Sequence, residues 1–283
     1  MKTFHNPHHT LHAGQQEMFR GRLVACHEVP ARLDFVMAEL QRRPLGTVEV
    51  PPVDDATLDA TLRRVHSVRY LDFLQSAWDE WVALDPSNAG RDALPSVWPL
   101  PSRHGFRTDV LPENFAARLG AFAFDSGCPL TAGTWVAARA GAACALAAAQ
   151  ALISGERSAF ALTRPPGHHA GPDYFGGYCF LNNAAVAAQA LRDAGKQRVA
   201  VIDVDYHHGN GTQTVFYERA DVLTVSIHGD PRTEYPFFLG HADERGARAG
   251  TGFNLNLPLP RGTGFAAWRR ALDTALQVVD NFG

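Results

Sequence analysis

The sequence predicts an α/β fold with a mostly parallel central sheet flanked by helices on both faces. Two observations carry that prediction. From residue 157 onward, short apolar strand patterns alternate with longer helical patterns, which is the signature of βαβ units and a parallel sheet. Three of the strand patterns run into polar clusters, "TRPPGHH", "DVDYHHG" and "SIHGDP". Ligands of such sheets gather at the carboxyl ends of the strands. The composition permits the fold: 46% of the 283 residues are hydrophobic and 19% are charged, enough for one large core. Residues 1–283 therefore read as a single domain.

The elements follow in order. "KTFHNP" opens with a short strand. "PARLDFVMAELQRR" places Leu33, Phe35, Val36 and Leu40 at helical spacing. Residues 55–84 read as two helices split near His66 and Ser67. Residues 85–115 carry five prolines and little periodicity. They are expected to form a long loop insertion of the functional or oligomer-forming kind, here a route to a homodimer. A helix starts near Thr131 or Thr134 and ends before Gly155; its apolar stretch "GAACALAAAQALI" is short and contains Gln150, so it reads as packed and not membrane-spanning. "SAFALT" is a strand. "NNAAVAAQALRDAG" is a helix capped by Asn182 or Asn183, with Gly195 at its end. "RVAVIDVD", "DVLTVSIH" and "TGFNLNLPL" are strands. "GTQTVFYERA" and "FAAWRRALDTALQVVDNF" are helices.

Charge and cysteine usage narrow the function class. A net charge of −3 argues against a nucleic-acid surface. Four scattered cysteines without a C-x-x-C pair fit a thiol-retaining, cytoplasmic protein. The polar start "MKTFHNPHHTLH" does not read as a secretory leader. Its histidines, His5, His8, His9 and His12, read as a polar arm beside the first strand in preference to a second metal site.

The densest chemistry lies in "VAVIDVDYHHGNGT", residues 199–212. Period-two alternation along the strand puts Asp203, Asp205 and His207 on one side, with Val204 and Tyr206 on the other. Asp205 and His207 can then reach one divalent cation, and zinc accepts such oxygen and nitrogen ligands. Asp203, one step deeper, suits a carboxylate that holds the far nitrogen of a histidine. A bare D-x-H is common by chance; "D-x-D-x-H-H-G-x-G-T" after a buried-type strand, with "R-P-P-G-H-H" after another, is far more specific.

"RPPGHHAGPDYFGGYCFLNNAAVAAQ" together with "VAVIDVDYHHGNGTQTVFYERADVLTVSIHGDP" resembles the histone deacetylase superfamily, nearest to its bacterial acetylpolyamine amidohydrolases and class II-type deacetylases. "EVPARL" and "VHSVRYLDFL" extend the resemblance over the whole chain. It implies the arginase–deacetylase type of fold and zinc-dependent hydrolysis of an N-acetyl amide to an amine and acetate. It implies Asp205 and His207 as metal ligands, and His168 and His169 as general base and acid. Asp203 would orient His168. Asn210 would orient His169, and as an amide it shifts its partner's basicity less, so the two histidines should differ in pKa. Gly176, Gly177 and Tyr178 match one wall of the substrate tunnel; Tyr235 is expected opposite, with Phe237 left open by the spacing. A potassium ion is implied at Asp203, Asp205, the His207 carbonyl, Ser226 and Ile227, and a second monovalent site at Phe216, Arg219 and Val222.

Two features of the resembling family have no match before residue 283: a third metal-ligating aspartate on a later strand, and an oxyanion-binding tyrosine in a glycine-rich loop. Asp280, in the last helix, suits neither role. The expectation is a truncated chain whose fold lacks its C-terminal part and leaves a sheet edge unpaired. The substrate expected is a small acetylated amine, an acetylpolyamine or acetyl-lysine, with Glu113 and Asp125 as the acids near the tunnel. The competing readings are an arginase-like binuclear manganese hydrolase and a non-catalytic module that binds acyl groups or a partner.

Overall fold

The computed structural model describes residues 1–43, 45–99 and 107–283. In chain order its first elements are β1 (Lys2–His5), β2 (Gln16–Phe19), β3 (Arg22–Ala25), α1 (Ala31–Arg42), β4 (Val48–Glu49), α2 (Asp55–Val65), α3 (Val68–Leu84) and α4 (Phe115–Ala121). Then follow α5 (Thr134–Ile153), β5 (Ala159–Leu162), α6 (Asn183–Asp193), β6 (Val199–Asp203), α7 (Asn210–Phe216), β7 (Val222–Gly229), β8 (Asn254–Leu259) and α8 (Phe265–Phe282). Among the described residues, β4, β1 and β5 pair in that order, as do β6, β7 and β8, and every one of those pairings is parallel. β2 and β3 form a separate antiparallel hairpin.

Local signals set the helix starts. Asp54, Ser67, Asn114 and Asn182 each accept, through the side chain, a backbone N–H in the first turn of α2, α3, α4 and α6, which satisfies a donor the helix itself leaves unpaired. α5 is the one helix among the described residues long and apolar enough to cross a membrane. It is apolar on all sides because it packs between α6, β5 and β1, with Ala142, Cys144 and Leu146 at most 2% exposed. α1 departs from its pattern: Leu33 alone is buried, and Phe35 is 75% exposed.

The sheet β6–β7–β8 has two unlike faces. Leu223, Val225 and Ile227 pack with Leu255 and Leu257 against Trp268, Leu272 and Ala275 of α8. The opposite face carries Thr224, Ser226, His228, Asn254 and Asn256, all buried. Gln213 of α7 serves that polar face: its Oε1 accepts from Asn254 (2.9 Å) and Asn256 (2.8 Å), and its amide donates to Glu244 (2.6 Å). Buried amides are tolerated because they are mutually bonded.

Arg164, the residue two places after β5, forms a buried ion pair with Glu28 (2.8 Å) and also donates to the His9 carbonyl. The pair ties the "HEVP" segment to "RPPGHH". Asn6 reinforces the tie by donating to the Arg164 carbonyl at 2.7 Å.

Three expectations are corrected. β6 stops at Asp203, so strand alternation does not carry through Asp205 and His207. The loop has its own scaffold: the Asp205 N–H donates to Asp203 Oδ1 (3.0 Å) and the His207 N–H to Asp205 Oδ1 (2.8 Å). Backbone donors that find side-chain acceptors two residues back leave the ladder. α7 begins one residue earlier than read, at Asn210, and ends at Phe216. The segment 85–115 is not wholly irregular: Pro86–Gly90 is a 3₁₀ turn, and Ala93 bridges Leu130. Its residues 100–106 lie outside the described residues, and with them the centre of the expected dimer loop.

Candidate active site

The ends of β5, β6 and β7 converge. His168 Nδ1 donates to Asp203 Oδ2 at 2.8 Å, which joins the loop after β5 to the end of β6. His169 Nδ1 donates to Asn210 Oδ1 at 2.7 Å, which joins the same loop to the start of α7. Each bond fixes the tautomer, leaving Nε2 as the working nitrogen of each ring. The rings lie 4.0 Å apart, centroid to centroid.

The environments pull the two histidines apart. Burial alone lowers the pKa of His168, but the bonded Asp203 and the nearby Asp205 more than offset it, so its pKa is raised. Burial also depresses His169, the positive charge on His168 adds to it, and neutral Asn210 returns only part; its pKa falls well below the ordinary value. One histidine holds its proton while its neighbour stays neutral. We expect Asn210→Asp to raise the pKa of His169, because a carboxylate favours the imidazolium. A base must be neutral, so the acid limb of the pH–rate profile should move to higher pH. An acid limb unmoved in that variant would rule out His169 as the titrating base.

Asp205 and His207 stand at the open side. Their side chains are 52% and 42% exposed, against 16% for Asp203 and 17% for His168. Burial raises the Asp205 carboxyl, but its hydrogen bond to His207 and the His168 charge more than reverse this and keep it ionised. An ionised carboxylate and an imidazole Nδ1 3.6 Å apart are the right kinds of donor for zinc. They supply two protein ligands, where catalytic zinc sites use three. No group of three or more His, Cys, Asp or Glu that could hold a metal occurs among the described residues. That includes the N-terminal arm, where His9 faces Asp34 at 3.8 Å and His12 bonds Thr134.

Asp203 and Ser226 are register partners on β6 and β7. The Ser226 hydroxyl is engaged by His228 Nδ1 at 2.8 Å. The Phe216 carbonyl accepts from the Arg219 N–H, and the Arg219 guanidinium pairs with Asp221. Beside Asp205, Val204 and Tyr206 line an open groove with Ile227, Leu259, Pro260 and Trp268.

A tunnel wall adjoins the histidines. A Cβ on Gly177 would lie 2.2 Å from the His169 ring, and one on Gly176 would lie 2.3 Å from the Phe124 ring; only glycine lets the backbone come so close. Gly177 and Tyr178 both adopt left-handed backbone, φ 51° and 66°. For Tyr178 this costs about 1–2 kcal/mol, offset by its hydroxyl donating to Glu17 (3.0 Å). Tyr235 forms the opposite wall, edge-on to His169 (5.1 Å) and His207 (5.7 Å). Phe237 lies farther out, 6.1 Å from the Tyr235 ring and half exposed.

The acids differ from expectation. Glu113 is exposed ahead of α4. Asp125 is half-buried in the wall, and desolvation there pushes its carboxyl upward. Glu17, which the sequence did not single out, is 1% exposed beside Tyr178 and also accepts from His27. Its signal was the short hairpin "QEMFRGRLVA", whose Arg20–Gly21 turn has positive φ at both residues. Asn210 spends its amide oxygen on His169, which leaves the binuclear reading short of a carboxylate ligand.

Known proteins agree with this geometry. Residues 26–283 match the family model described as the histone deacetylase domain. The chain is 49% identical over its whole length to acetylpolyamine amidohydrolase 2 of Pseudomonas aeruginosa, covering 79% of that protein. It is 40% identical to the acetylpolyamine amidohydrolase of Mycoplana ramosa, covering 80% of it. The crystal structure of an acetylpolyamine aminohydrolase from Burkholderia pseudomallei superposes with a TM-score of 0.90 at 42% identity, covering the whole chain and 79% of that structure.

Proposed function

This chain belongs to the histone deacetylase family, and from that premise we propose that it is a deacetylase that releases acetate from acetylated polyamines. The observation that carries the reading is the pair His168 and His169, each anchored through Nδ1 and facing Asp205 and His207. Relatives named for acetylpolyamines align over 97–100% of the chain. The buried carboxylate of Glu17, beside Tyr178, favours an amine that carries further positive charge.

A zinc ion held by Asp205 and His207 would act as a Lewis acid toward the acetyl carbonyl and make water acidic near neutral pH. The chain's own groups handle the protons. The base role expected of His168 falls instead to His169, which burial and His168 keep neutral and which takes the proton of the attacking water at Nε2. His168, raised by Asp203 and Asp205, holds a proton and sets positive charge beside the developing oxyanion. The proton then passes to the leaving amine, and the amide C–N bond breaks. Gly176 and Gly177 admit the substrate's methylene chain, which Tyr178 and Tyr235 flank. Potassium at the Asp203, Ser226 and Ile227 oxygens, and a homodimer formed through 85–115, belong to the same proposal and rest on the family resemblance.

The test compares N-acetylputrescine with N-acetylpentylamine, equal in length and different in charge, in the presence of zinc. The cationic substrate is expected to have a kcat/KM about tenfold higher or more, and Glu17→Gln to narrow the gap. Equal rates on the two would discard the polyamine assignment, and the absence of acetate release from either would discard the deacetylase.

A further inference from the structure

The mechanism above gives Asp125 no task, yet its carboxylate accepts three hydrogen bonds. Residues 122–125 run beside 175–177, with the Phe124 N–H donating to the Phe175 carbonyl (3.1 Å) and the Phe175 N–H to the Phe122 carbonyl (2.7 Å). That pairing brings Asp125 beside Gly177. Its Oδ2 accepts from the Gly177 N–H (2.7 Å) and from the Tyr235 hydroxyl (2.5 Å), and its Oδ1 from the Gly127 N–H (3.1 Å). Gly177 and Tyr235 come from opposite walls of the tunnel, far apart in sequence.

We propose that Asp125 is a positioning residue that sets the bore of the substrate tunnel, by holding both walls on a single carboxylate oxygen. The inference rests on the deacetylase reading of the site. Both walls are held partly from outside. Gly177 and Tyr178 are consecutive left-handed residues in a turn closed by the Gly176–Cys179 backbone hydrogen bonds (2.9 and 3.2 Å), and the Gly177 N–H, which that turn does not use, is taken by Asp125. Tyr235 sits in the irregular segment after β7, and its ring is the surface that meets His169 and His207. Phe124, the neighbour of Asp125, stacks on Tyr235 (5.8 Å, 30°) and blocks sideways movement. Two acceptor positions of the Asp125 carboxylate are occupied by these walls and a third by the Gly127 N–H of its own loop, so its effect on a substrate is exerted through the walls. An asparagine presents one acceptor oxygen, and its NH₂ group faces donors, so it cannot replace all three bonds.

The experiment has an arm that needs no turnover. Hydrogen exchange of the amides in 175–179 is expected to quicken about tenfold or more in Asp125→Ala, to an intermediate degree in Asp125→Asn, and to stay unchanged in α5. In the second arm, kcat/KM is measured on a linear and a branched neutral N-acetylamine, which removes any effect of substrate charge. Asp125→Ala is expected to lower the linear-to-branched ratio about fivefold or more. Tyr235→Phe, which removes the hydroxyl that Asp125 holds, lowers it too, and the double variant goes no further than Asp125→Ala alone. Should Asp125→Ala not fold, Asp125→Asn is read in both arms. Unchanged exchange at 175–179 overturns the proposal, as does an unchanged ratio in an active variant. A wild-type protein that releases acetate from neither amine nor from N-acetylputrescine refutes the deacetylase reading instead, and the exchange arm then judges Asp125 by itself.

Discussion

Replacing His169 with alanine is expected to lower kcat/KM for an acetylated amine about 10²–10⁴-fold, the usual contribution of a positioned acid–base group. The loss should fall on kcat. His169 is 4% exposed and bonded to Asn210, so it faces the reacting atoms with Nε2 and lies outside the part of the tunnel that binds the methylene chain. His169→Gln should do no better, since an amide cannot accept and return a proton. Thermal unfolding of each variant, measured alongside, separates a lost base from a lost fold. A loss of less than about tenfold in a folded His169→Ala protein would move the proton transfer to another group.

Acid should unfold this protein by way of histidines that lie outside the site. His12 and His66 are 3% and 2% exposed, and burial pushes their pKa values down to about 3 and about 4. Among the described residues His12 has only Thr131 and Thr134 as polar partners, and His66 is bonded to the Gly171 carbonyl and the Asn182 N–H. Unfolded, both titrate near 6.5. Between those values the unfolded chain binds more protons, so stability is fully present above about pH 6.5 and is lost as pH falls toward 4 and 3. Together the two groups amount to something on the order of 5–10 kcal/mol, comparable to the whole stability of a domain. The carboxyls of Glu28 and Asp125, raised by burial, act in the opposite direction, because the folded state holds their protons more tightly. The urea midpoint should therefore drop steadily from pH 6.5 downward, and His66→Gln should flatten that slope by about one proton. A midpoint that stays level to pH 4.5 would contradict the burial of these rings as neutral groups.

Much of this was legible from the residues themselves. Apolar runs separated by helical patterns gave the parallel strands, and the polar clusters at their ends marked where His168, His169, Asp203, Asp205, His207 and Asn210 meet. The reason those residues meet was only partly legible. Strand alternation seemed to aim Asp205 and His207, whereas backbone amides bonded to Asp203 and Asp205 do so beyond the end of β6. Such bonds depend on loop geometry, which has no periodicity to read. Glu17 and Asp125 were harder still. A lone acid in a four-residue strand and another in an irregular segment look like surface charges until the tertiary contacts place a tyrosine hydroxyl on each.

The two oxygens of Asp203 have a consequence for how this site can change. One oxygen holds His168 and the other holds the Asp205 amide, so acid–base tuning and metal-loop geometry share one side chain. Substitutions at 168, 203 and 205 should therefore be epistatic: the effect of any one depends on which residues occupy the other two. A lineage altering this chemistry would have to move through coordinated replacements, and a library that varies these positions singly would find almost nothing but losses.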